Sequence, residues 1–284
     1  MSLPQWLIKK TPKQRHIRAL RELIDDPSVH TVCESAKCPN IGECYSKKIA
    51  TFMILGDVCT RHCRFCGVSK GLPHPIDRTE PKRVAKAAKK MELNYVVVTS
   101  VTRDDLSDKG AGQFAGTINE IKSEIPNAKV EALIPDMGAN ESFIGKVIDA
   151  GPVILNHNVE MVPRLYESIR PGSDYTVSLK VLEVSKRIGK NIATKSGFML
   201  GLGETEAEVH GMLRDLASVG CDIVTIGQYL RPSQNEAEVV EYVRLETFER
   251  YKSFGLKLGF KHIEASPFAR SSYNADRVSK TALG

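Results

Sequence analysis

The stretch Asp57-Val-Cys-Thr-Arg-His-Cys-Arg-Phe-Cys-Gly67 carries three thiols, Cys59, Cys63 and Cys66, on one short loop. This spacing allows the three sulfur atoms to converge on one inorganic centre. A tetrahedral zinc site would need a fourth protein ligand, and none follows at regular spacing. A [4Fe–4S] cluster held by three thiolates leaves one iron open to a small chelating ligand. The loop therefore predicts such a cluster, with a zinc knuckle or scattered buried cysteines as the alternatives.

An iron with an open coordination position is typical of enzymes that cleave S-adenosylmethionine (SAM) by one-electron reduction, a chemistry that belongs to the cofactor. In its cysteine spacing the loop resembles the signature of the radical SAM superfamily. The resemblance implies that Phe65, beside the third thiol, covers the adenine of SAM. Packing over the cluster is the alternative role for this ring.

Three further cysteines, Cys33, Cys38 and Cys44, precede the loop in Cys-x4-Cys-x5-Cys spacing. In a reducing cytosol, six cysteines so close together along the chain indicate metal or cluster ligation rather than disulfides. We predict a second cluster at this triad, with a structural zinc site as the alternative. Its fourth ligand must come from elsewhere in the chain. Pro39 and Gly42 are expected to keep the segment looped.

The composition is that of a globular protein, with 42% hydrophobic and 26% charged residues over 284 positions. This length fits one large domain or two small ones, and an α/β barrel of this size is ordinary. The net charge of +6 favours an acidic partner but is too small to argue for nucleic acid. No apolar run approaches the roughly 18 residues that a membrane helix needs. We expect a cytoplasmic protein, because the basic N-terminus lacks the serine enrichment of a transit peptide.

From residue 50 onwards, strand-sized apolar runs alternate with amphipathic helical stripes. Such repeated βα units predict a parallel sheet with right-handed crossovers. Six units would form an α/β fold of the partial (β/α)6 TIM-type barrel kind, open on one side. The predicted strands are 51–55, 95–100, 129–133, 153–156, 193–200 and 223–227, with 263–265 as an optional last strand.

Polar side chains follow several of these strands, and barrel enzymes gather their chemistry at the carboxyl ends of the strands. Thr102 follows the second strand and is a candidate contact for the amino group or ribose of SAM. Radical SAM enzymes often carry Gly-Gly-Glu at that point, which this chain lacks. A turn with a helix N-cap at Asp104 or Asp105 is therefore the alternative. After the fourth strand, Asn156 and Glu160 are the candidates for gripping SAM.

His157 lies between those two candidates, and we predict a structural role for it, because radical hydrogen abstraction needs no general base. The turn at 197–204 is similar to the superfamily pattern Gly-x-Ile-x-Gly-x-x-Glu, with Met199 in the isoleucine place. Its glycines are expected to let the backbone approach a planar ligand closely. A strand-to-helix turn without a ligand would also need glycine.

Taken together, these residues resemble the lipoyl synthase family over nearly the whole chain after residue 30. The resemblance implies that Tyr229 contributes to SAM binding. It also implies that a serine near the C-terminus, Ser272 or alternatively Ser271, is the fourth ligand of the second cluster. The motifs that carry the resemblance are the two cysteine triads, 100–105, Ile134-Pro-Asp136, Asn156-His-Asn-Val-Glu160, Arg170-Pro171, Lys195-Ser-Gly197, 199–205, Thr225-Ile-Gly-Gln-Tyr-Leu230 and Arg270-Ser-Ser-Tyr273.

One departure from the family is visible in the polar segment 233–240, where the family carries a His-Pro-Val-like sequence. It puts local substrate contacts in doubt, not the chemistry. The domain plan implied by the resemblance is an N-terminal extension (1–49) with the second triad, a radical SAM partial barrel (50–266) and a C-terminal tail (267–284). The two extensions are expected to close the barrel mouth.

The implied reaction uses two [4Fe–4S] clusters, with SAM as co-substrate. SAM is cleaved at the first cluster, and the second gives up two sulfur atoms to C6 and C8 of an octanoyl-lysine on a lipoyl domain or the glycine-cleavage H protein. Flavodoxin or ferredoxin would supply electrons, an iron–sulfur carrier would rebuild the consumed cluster, and the enzyme is expected to be a monomer. The alternatives are a biotin synthase-like or methylthio-transferring enzyme, an iron–sulfur carrier, and a zinc-binding module.

Overall fold

The computed structural model describes residues 3–9, 14–24, 26–46 and 49–283. Its strands are β1 (His30–Thr31), β2 (Thr51–Ile54), β3 (Val58–Cys59), β4 (Ser69–Lys70), β5 (Tyr95–Ser100), β6 (Lys129–Leu133), β7 (Ile154–Asn156), β8 (Ala193–Leu200), β9 (Ile223–Gln228) and β10 (His262–Ala265). Eight of them form one sheet in the order β1-β2-β5-β6-β7-β8-β9-β10, in which only β1 runs antiparallel to its neighbour. Strands β3 and β4 form a separate parallel ribbon.

Helices follow most strands of the sheet and cover its outer face. They are α1 (Gln14–Ile24), α2 (Val32–Ser35), α3 (Ile41–Ser46), α4 (Glu80–Lys90), α5 (Ala111–Glu124), α6 (Glu141–Asp149), α7 (Tyr166–Ile169), α8 (Tyr175–Ile188), α9 (Glu206–Ser218), α10 (Leu245–Lys257) and α11 (Ala275–Leu283). Short 3-10 turns lie at Gln5–Leu7, Met137–Ala139 and Pro163–Leu165. A search of the described residues for a helix with the length and hydropathy to cross a membrane finds none.

The structure confirms the α/β partial barrel, and each predicted strand agrees with an observed one to within one residue at either end. The sheet does not close on itself within the described part of the chain. Strand β10 pairs with β9 in parallel, so the barrel has seven parallel strands rather than six. The two-residue strand β1 was not predicted, because it is too short to show alternation.

The expectation that Pro39 and Gly42 keep the second triad looped is wrong for Gly42, which lies inside α3. A glycine in a helix interior costs about 1 kcal/mol relative to alanine. Packing overrides this local preference, because α3 lies against α1 and buries the ring of Tyr45. Cys33 and Cys44 are therefore presented from short helices, with Cys38 on the turn between them.

The barrel interior is closed at its N-terminal end by the chain's own last helix. Val278 and Ala282 of α11 pack against Ile154, Ala193 and Ile223, which open β7, β8 and β9. The segment just before α11 lies at the opposite end of the barrel, where the strands finish. The C-terminal extension therefore reaches the barrel mouth as expected, and its helix also fills the far end.

Candidate active site

A cavity of about 320 Å³ opens at the carboxyl ends of the parallel strands. Five of the six clustered cysteines line it, namely Cys33, Cys38, Cys59, Cys63 and Cys66. Cys44 is not in the lining, but its thiol lies close enough to act electrostatically on Cys33. Ser271 and Ser272 line the same cavity from the C-terminal tail. Two triads and both ends of the chain thus meet at one place.

The Cys59 loop is tied to the loop that follows β5. Cys59 Sγ accepts hydrogen bonds from the backbone N–H groups of Arg61 (3.4 Å) and Thr102 (3.3 Å). The carbonyl of Thr102 accepts from the N–H (3.1 Å) and the hydroxyl (3.0 Å) of Thr60. Thr102 lines the cavity, and its backbone fixes the position of the first thiol.

Arg61 joins the cysteine loop to two further strand ends through a forked set of hydrogen bonds. Its guanidinium donates to Asp104 at 2.8 and 3.0 Å. It also donates to both carboxylate oxygens of Asp136, one of them at 3.0 Å. Burial acts to raise the pKa of Asp136, but the guanidinium and the Gly138 amide outweigh it and bring that pKa to about 2. The fork stays intact at neutral pH because both partners remain charged.

Three of the thiols lie in surroundings that disfavour the free thiolate. Burial raises the pKa of Cys33 and of Cys66 to about 12, and it also raises the pKa of Cys63. Neighbouring thiols of the same triad raise these values further. Bound iron would supply the positive charge that stabilises the thiolates. The donor set therefore fits iron–sulfur centres.

Across the described residues, no three His, Cys, Asp or Glu side chains converge tightly enough to hold a single metal ion. A cubane cluster asks for a wider arrangement, because each thiolate binds a different iron. Five of the clustered cysteines line one cavity, which is compatible with this requirement.

Three buried polar atoms at the ends of β5 and β7 lack a hydrogen-bond partner within the described chain: Ser100 Oγ, Asn156 Oδ1 and His157 Nε2. Ser100 and His157 line the cavity, whereas Asn156 does not. Buried polar atoms of folded proteins are nearly always satisfied, so these atoms indicate a polar ligand. SAM offers matching donors in its amino group, ribose hydroxyls and adenine amine.

His157 has a more specific environment than its predicted structural role required. Its Nδ1 lies 2.9 Å from Ile134 O, and burial lowers the pKa of the ring to about 4, so the ring is neutral at pH 7. The N–H at Nδ1 then donates to that carbonyl, and Nε2 is left as an acceptor. Asn156 is held differently, since its Nδ2 donates to Glu131 Oε1 at 3.0 Å.

Glu160, Met199, Phe65 and Tyr229 all line the cavity. Met199 N–H donates to Glu160 O at 2.8 Å, which joins two of these predicted SAM contacts directly. Burial raises the pKa of the Glu160 carboxyl, with nearby Arg170 opposing the shift. The ring of Tyr229 is buried and its hydroxyl donates to Ala237 O at 2.7 Å, so only its ring is available to a ligand.

The tail serines differ in what holds them. The Ser271 hydroxyl donates to Asn158 Oδ1 at 2.9 Å, and the Ser271 carbonyl accepts from Lys195 Nζ. The Ser272 hydroxyl makes no hydrogen bond to any part of the chain that the structure describes. A side chain at Gly197 would come within 3.0 Å of Asn158 and Ser271. Gly197 therefore leaves room for the C-terminal tail and Asn158. The sequence predicted only that the glycines of this turn let the backbone approach a planar ligand.

The second triad is fastened to the same tail from the N-terminal side. Asn40, between Cys38 and Cys44, donates through Nδ2 to Phe268 O at 2.7 Å. The Tyr273 hydroxyl donates to Glu43 at 2.9 Å. Lys9 binds Asn40 and Glu43 and lies 4.4 Å from the centre of the Phe268 ring.

Several residues around the site were not predicted as site residues. Arg61 and Asp136 appeared only inside quoted motifs, and Glu131 was read as part of an apolar strand. A charged residue in an otherwise buried strand is the signal that could have found Glu131, since such groups need a partner. Nothing local in the sequence shows that the partner is Lys195.

The family model described as the radical SAM superfamily matches residues 53–216. The chain is 53% identical to a lipoyl synthase of Caldicellulosiruptor saccharolyticus, over 98% of this chain and 97% of the relative. It is 52% identical to a lipoyl synthase of Caldanaerobacter subterraneus subsp. tengcongensis, over 96% and 95% of the two chains.

Among solved structures, methylornithine synthase shares the fold, with a TM-score of 0.53 at 14% identity over 88% of this chain and 77% of the other. Membership of the radical SAM superfamily implies SAM and a [4Fe–4S] cluster as the reactive groups. The chain belongs to the lipoyl synthase family, within the radical SAM superfamily.

Proposed function

We propose that this enzyme is a sulfurtransferase that inserts two sulfur atoms, at C6 and C8 of a protein-bound octanoyl-lysine, to form the lipoyl cofactor. The observation that carries the proposal is the single cavity onto which cysteines of both triads and the tail serines open. A carbon chain bound there would lie between the two sets of sulfur ligands.

In this proposal Cys59, Cys63 and Cys66 hold the cluster that binds SAM, and the second [4Fe–4S] cluster has its own set of ligands. That set is Cys33, Cys38, Cys44 and Ser272. Ser272 is favoured over Ser271 because the Ser271 hydroxyl already donates to Asn158, whereas the Ser272 hydroxyl has no protein partner within the described chain. When bound, the first cluster with SAM supplies hydrogen-abstracting radical chemistry, and the second cluster supplies sulfur.

The chain's own residues bind and orient these groups. Arg61 holds the cysteine loop against Asp104 and Asp136, which fixes the geometry of the three thiols. Backbone and strand-end groups, with Thr102, Asn156 and Glu160 among them, would receive the polar parts of SAM. The acceptor at His157 Nε2 joins that set.

Apolar side chains would shape the rest of the binding site. Phe65, Met199 and Tyr229 provide surface for the adenine, and they would exclude water from the reacting carbon atoms. The octanoyl chain would enter the cavity through the open side of the partial barrel, which the second triad and the tail would roof.

The carrier of the octanoyl chain in this proposal is a lipoyl domain or the glycine-cleavage H protein. Flavodoxin or ferredoxin is the reductant, and an iron–sulfur carrier rebuilds the consumed cluster. The enzyme acts as a cytoplasmic monomer, with 1–49, 50–266 and 267–284 as its three parts. Neither nucleic acid nor a membrane has a role.

Incubation with reductant, SAM and an octanoylated lipoyl-domain peptide tests the proposal. Mass spectrometry under single-turnover conditions is expected to show a peptide that has gained two sulfur atoms. About eight irons per chain are expected after anaerobic reconstitution, four for each cluster. An unchanged peptide, or a protein that takes up zinc in place of iron, would reject the function.

A further inference from the structure

An ion pair lies inside the barrel, away from solvent. Lys195 Nζ of β8 donates to Glu131 Oε1 of β6 at 2.9 Å, and both side chains are at most 1% exposed. Removing one member of a buried pair would leave an uncompensated charge, which costs about 3–5 kcal/mol. A pair of well-packed apolar residues would serve stability equally well, so the charges invite a further explanation.

Glu131 is fully satisfied by groups from neighbouring strands. Its Oε1 also accepts from Asn156 Nδ2 at 3.0 Å, and its Oε2 accepts from the Tyr95 hydroxyl at 2.8 Å. These contacts fix the carboxylate, and the carboxylate in turn fixes the ammonium of Lys195. The lysine donates a second hydrogen bond, and its acceptor is Ser271 O in the C-terminal tail.

The tail is held against β8 and β9 by close backbone approach as well as by this hydrogen bond. A side chain at Gly227 of β9 would collide with Ala269 O. Gly197 of β8 leaves the space that Asn158 and Ser271 occupy. Two strands of the barrel are therefore shaped to receive residues 269–271, and Lys195 is the charged group that grips them.

The contacts of Lys195 and Asn158 with the tail determine which of the two serine hydroxyls has no protein hydrogen bond among the described residues. The carbonyl of Ser271 is bound by Lys195 and its hydroxyl by Asn158, so both polar groups of Ser271 are already engaged by the barrel. The next residue, Ser272, lines the cavity without a protein hydrogen bond among the described residues. Without the hydrogen bonds from Lys195 and to Asn158, the tail could shift along the barrel, and the Ser272 hydroxyl would move with it.

We propose that the Glu131–Lys195 pair is a positioning device that anchors the C-terminal tail to the barrel and so presents the Ser272 hydroxyl to the second cysteine triad. The role of Ser272 as a cluster ligand rests on the proposed function. The anchoring does not, because it is a property of the protein without its cofactors.

Hydrogen exchange of the full chain tests the anchoring directly. The reporters are the Ala269 and Tyr273 amides, bonded to Ser266 O (3.0 Å) and Arg270 O (2.8 Å). Lys195→Met is expected to speed their exchange about tenfold or more, because it removes a hydrogen bond donated by a charged group. Its control is Lys186→Met, which removes an ion pair with Asp222 (2.7 Å) that does not touch the tail.

A steric variant reaches the same segment without changing charge. Gly227→Ala is expected to speed the same amides, and Gly211→Ala in α9 is its control, since a side chain there meets nothing within 4 Å. Should Lys195→Met fail to fold, the double variant E131Q/K195M removes both charges, keeps an amide oxygen to accept from Asn156 Nδ2, and places an amide N–H that can donate to the Tyr95 hydroxyl oxygen. Unchanged tail exchange in a folded Lys195 variant, or equal acceleration throughout β8, would overturn the anchoring.

Iron content then tests what the anchoring is for. After reconstitution, Lys195→Met is expected to hold fewer irons per chain than the about eight of Lys186→Met, because its second cluster keeps three thiolates but loses the serine ligand. Faster tail exchange with iron still near eight would reject the positioning role. If the wild-type enzyme gave no sulfur-bearing product, the proposed function would fail, yet the exchange result would still decide the anchoring.

Discussion

The two cysteine triads are held in different ways. The Cys59 loop is fixed by neighbouring strand ends, through Arg61, Thr102 and the carboxylates that Arg61 binds. The second triad lies on short helices outside the barrel and is fastened to the C-terminal tail through Asn40 and Glu43. One site is a product of the barrel, and the other is assembled from the two ends of the chain.

Because the two triads are held differently, we expect mutations to impair the function of one triad without impairing that of the other. Changes in the barrel loops should damage SAM cleavage first. Changes in the tail should damage only what depends on the second triad. The two sites open onto one cavity, but different hydrogen-bond partners hold them, and such separately supported groups can respond independently to mutation.

The largest expected effect comes from removing a thiol. Cys63→Ala is expected to reduce SAM cleavage to the level of a sample without enzyme, because the cluster loses one of its three protein ligands. Cys38→Ala is expected to lose sulfur insertion, because the second cluster loses a ligand. It should keep SAM cleavage within about fivefold of wild type, because the first triad is held by other contacts. Chromatography of 5′-deoxyadenosine and mass spectrometry of the peptide measure the two activities. Loss of SAM cleavage in both variants would show that the two triads do not function independently.

A smaller effect is expected from the fork at Arg61. Arg61→Met leaves Asp136 buried without its cation and frees the cysteine loop, so SAM cleavage should fall about 10- to 100-fold. Arg64→Met is the matched control, because among the described residues the exposed Arg64 guanidinium donates to Ser168 O alone, at 3.3 Å. Equal rates in the two variants would show that the fork does not position the thiols.

The smallest expected effect is on stability rather than on activity, and it comes from His157 at acidic pH. Burial lowers its folded pKa to about 4, below the roughly 6.5 of an unfolded histidine. The unfolded chain therefore binds more protons between these values, and stability that is complete above about pH 6.5 is lost as the pH falls toward 4. The loss amounts to roughly 3 kcal/mol.

Urea unfolding of the cofactor-free protein at pH 7 and pH 4.5 measures this contribution. His157→Gln, whose amide can still donate to Ile134 O, should remove it and flatten the pH dependence. An unchanged pH dependence in the variant would mean that another group is responsible.

The sequence predicts local periodicity well and long-range pairing poorly. Six of the seven parallel strands of the main sheet were predicted outright and the seventh as optional, because buried strands leave continuous apolar runs. The convergence of the triads and the tail serine on one place was also predicted, and five of the six cysteines line one cavity with Ser271 and Ser272. Their roles as ligands stay predictions.

What the sequence could not show depends on partners far apart in the chain. The helical setting of Gly42 comes from packing against α1, and the place of α11 at the far end of the barrel comes from contacts with three strands. The pairing of Glu131 with Lys195, and of Lys195 with the tail, joins residues 64 and 76 positions apart. No local pattern encodes such pairs.

In the proposed reaction, the cluster site on the Cys59 loop, which the barrel holds, cleaves SAM. The second triad, which Ser272 of the tail completes, then supplies the sulfur. The most direct measurement follows SAM cleavage and peptide mass together in Ser272→Ala, with Ser271→Ala as the matched control. Ser272→Ala is predicted to cleave SAM within about twofold of wild type and to yield no peptide with two added sulfur atoms. Ser271→Ala, which keeps the carbonyl that Lys195 binds, is predicted to form the product. A full yield of product from Ser272→Ala would contradict the assignment of Ser272 as a cluster ligand, whatever Ser271→Ala yields.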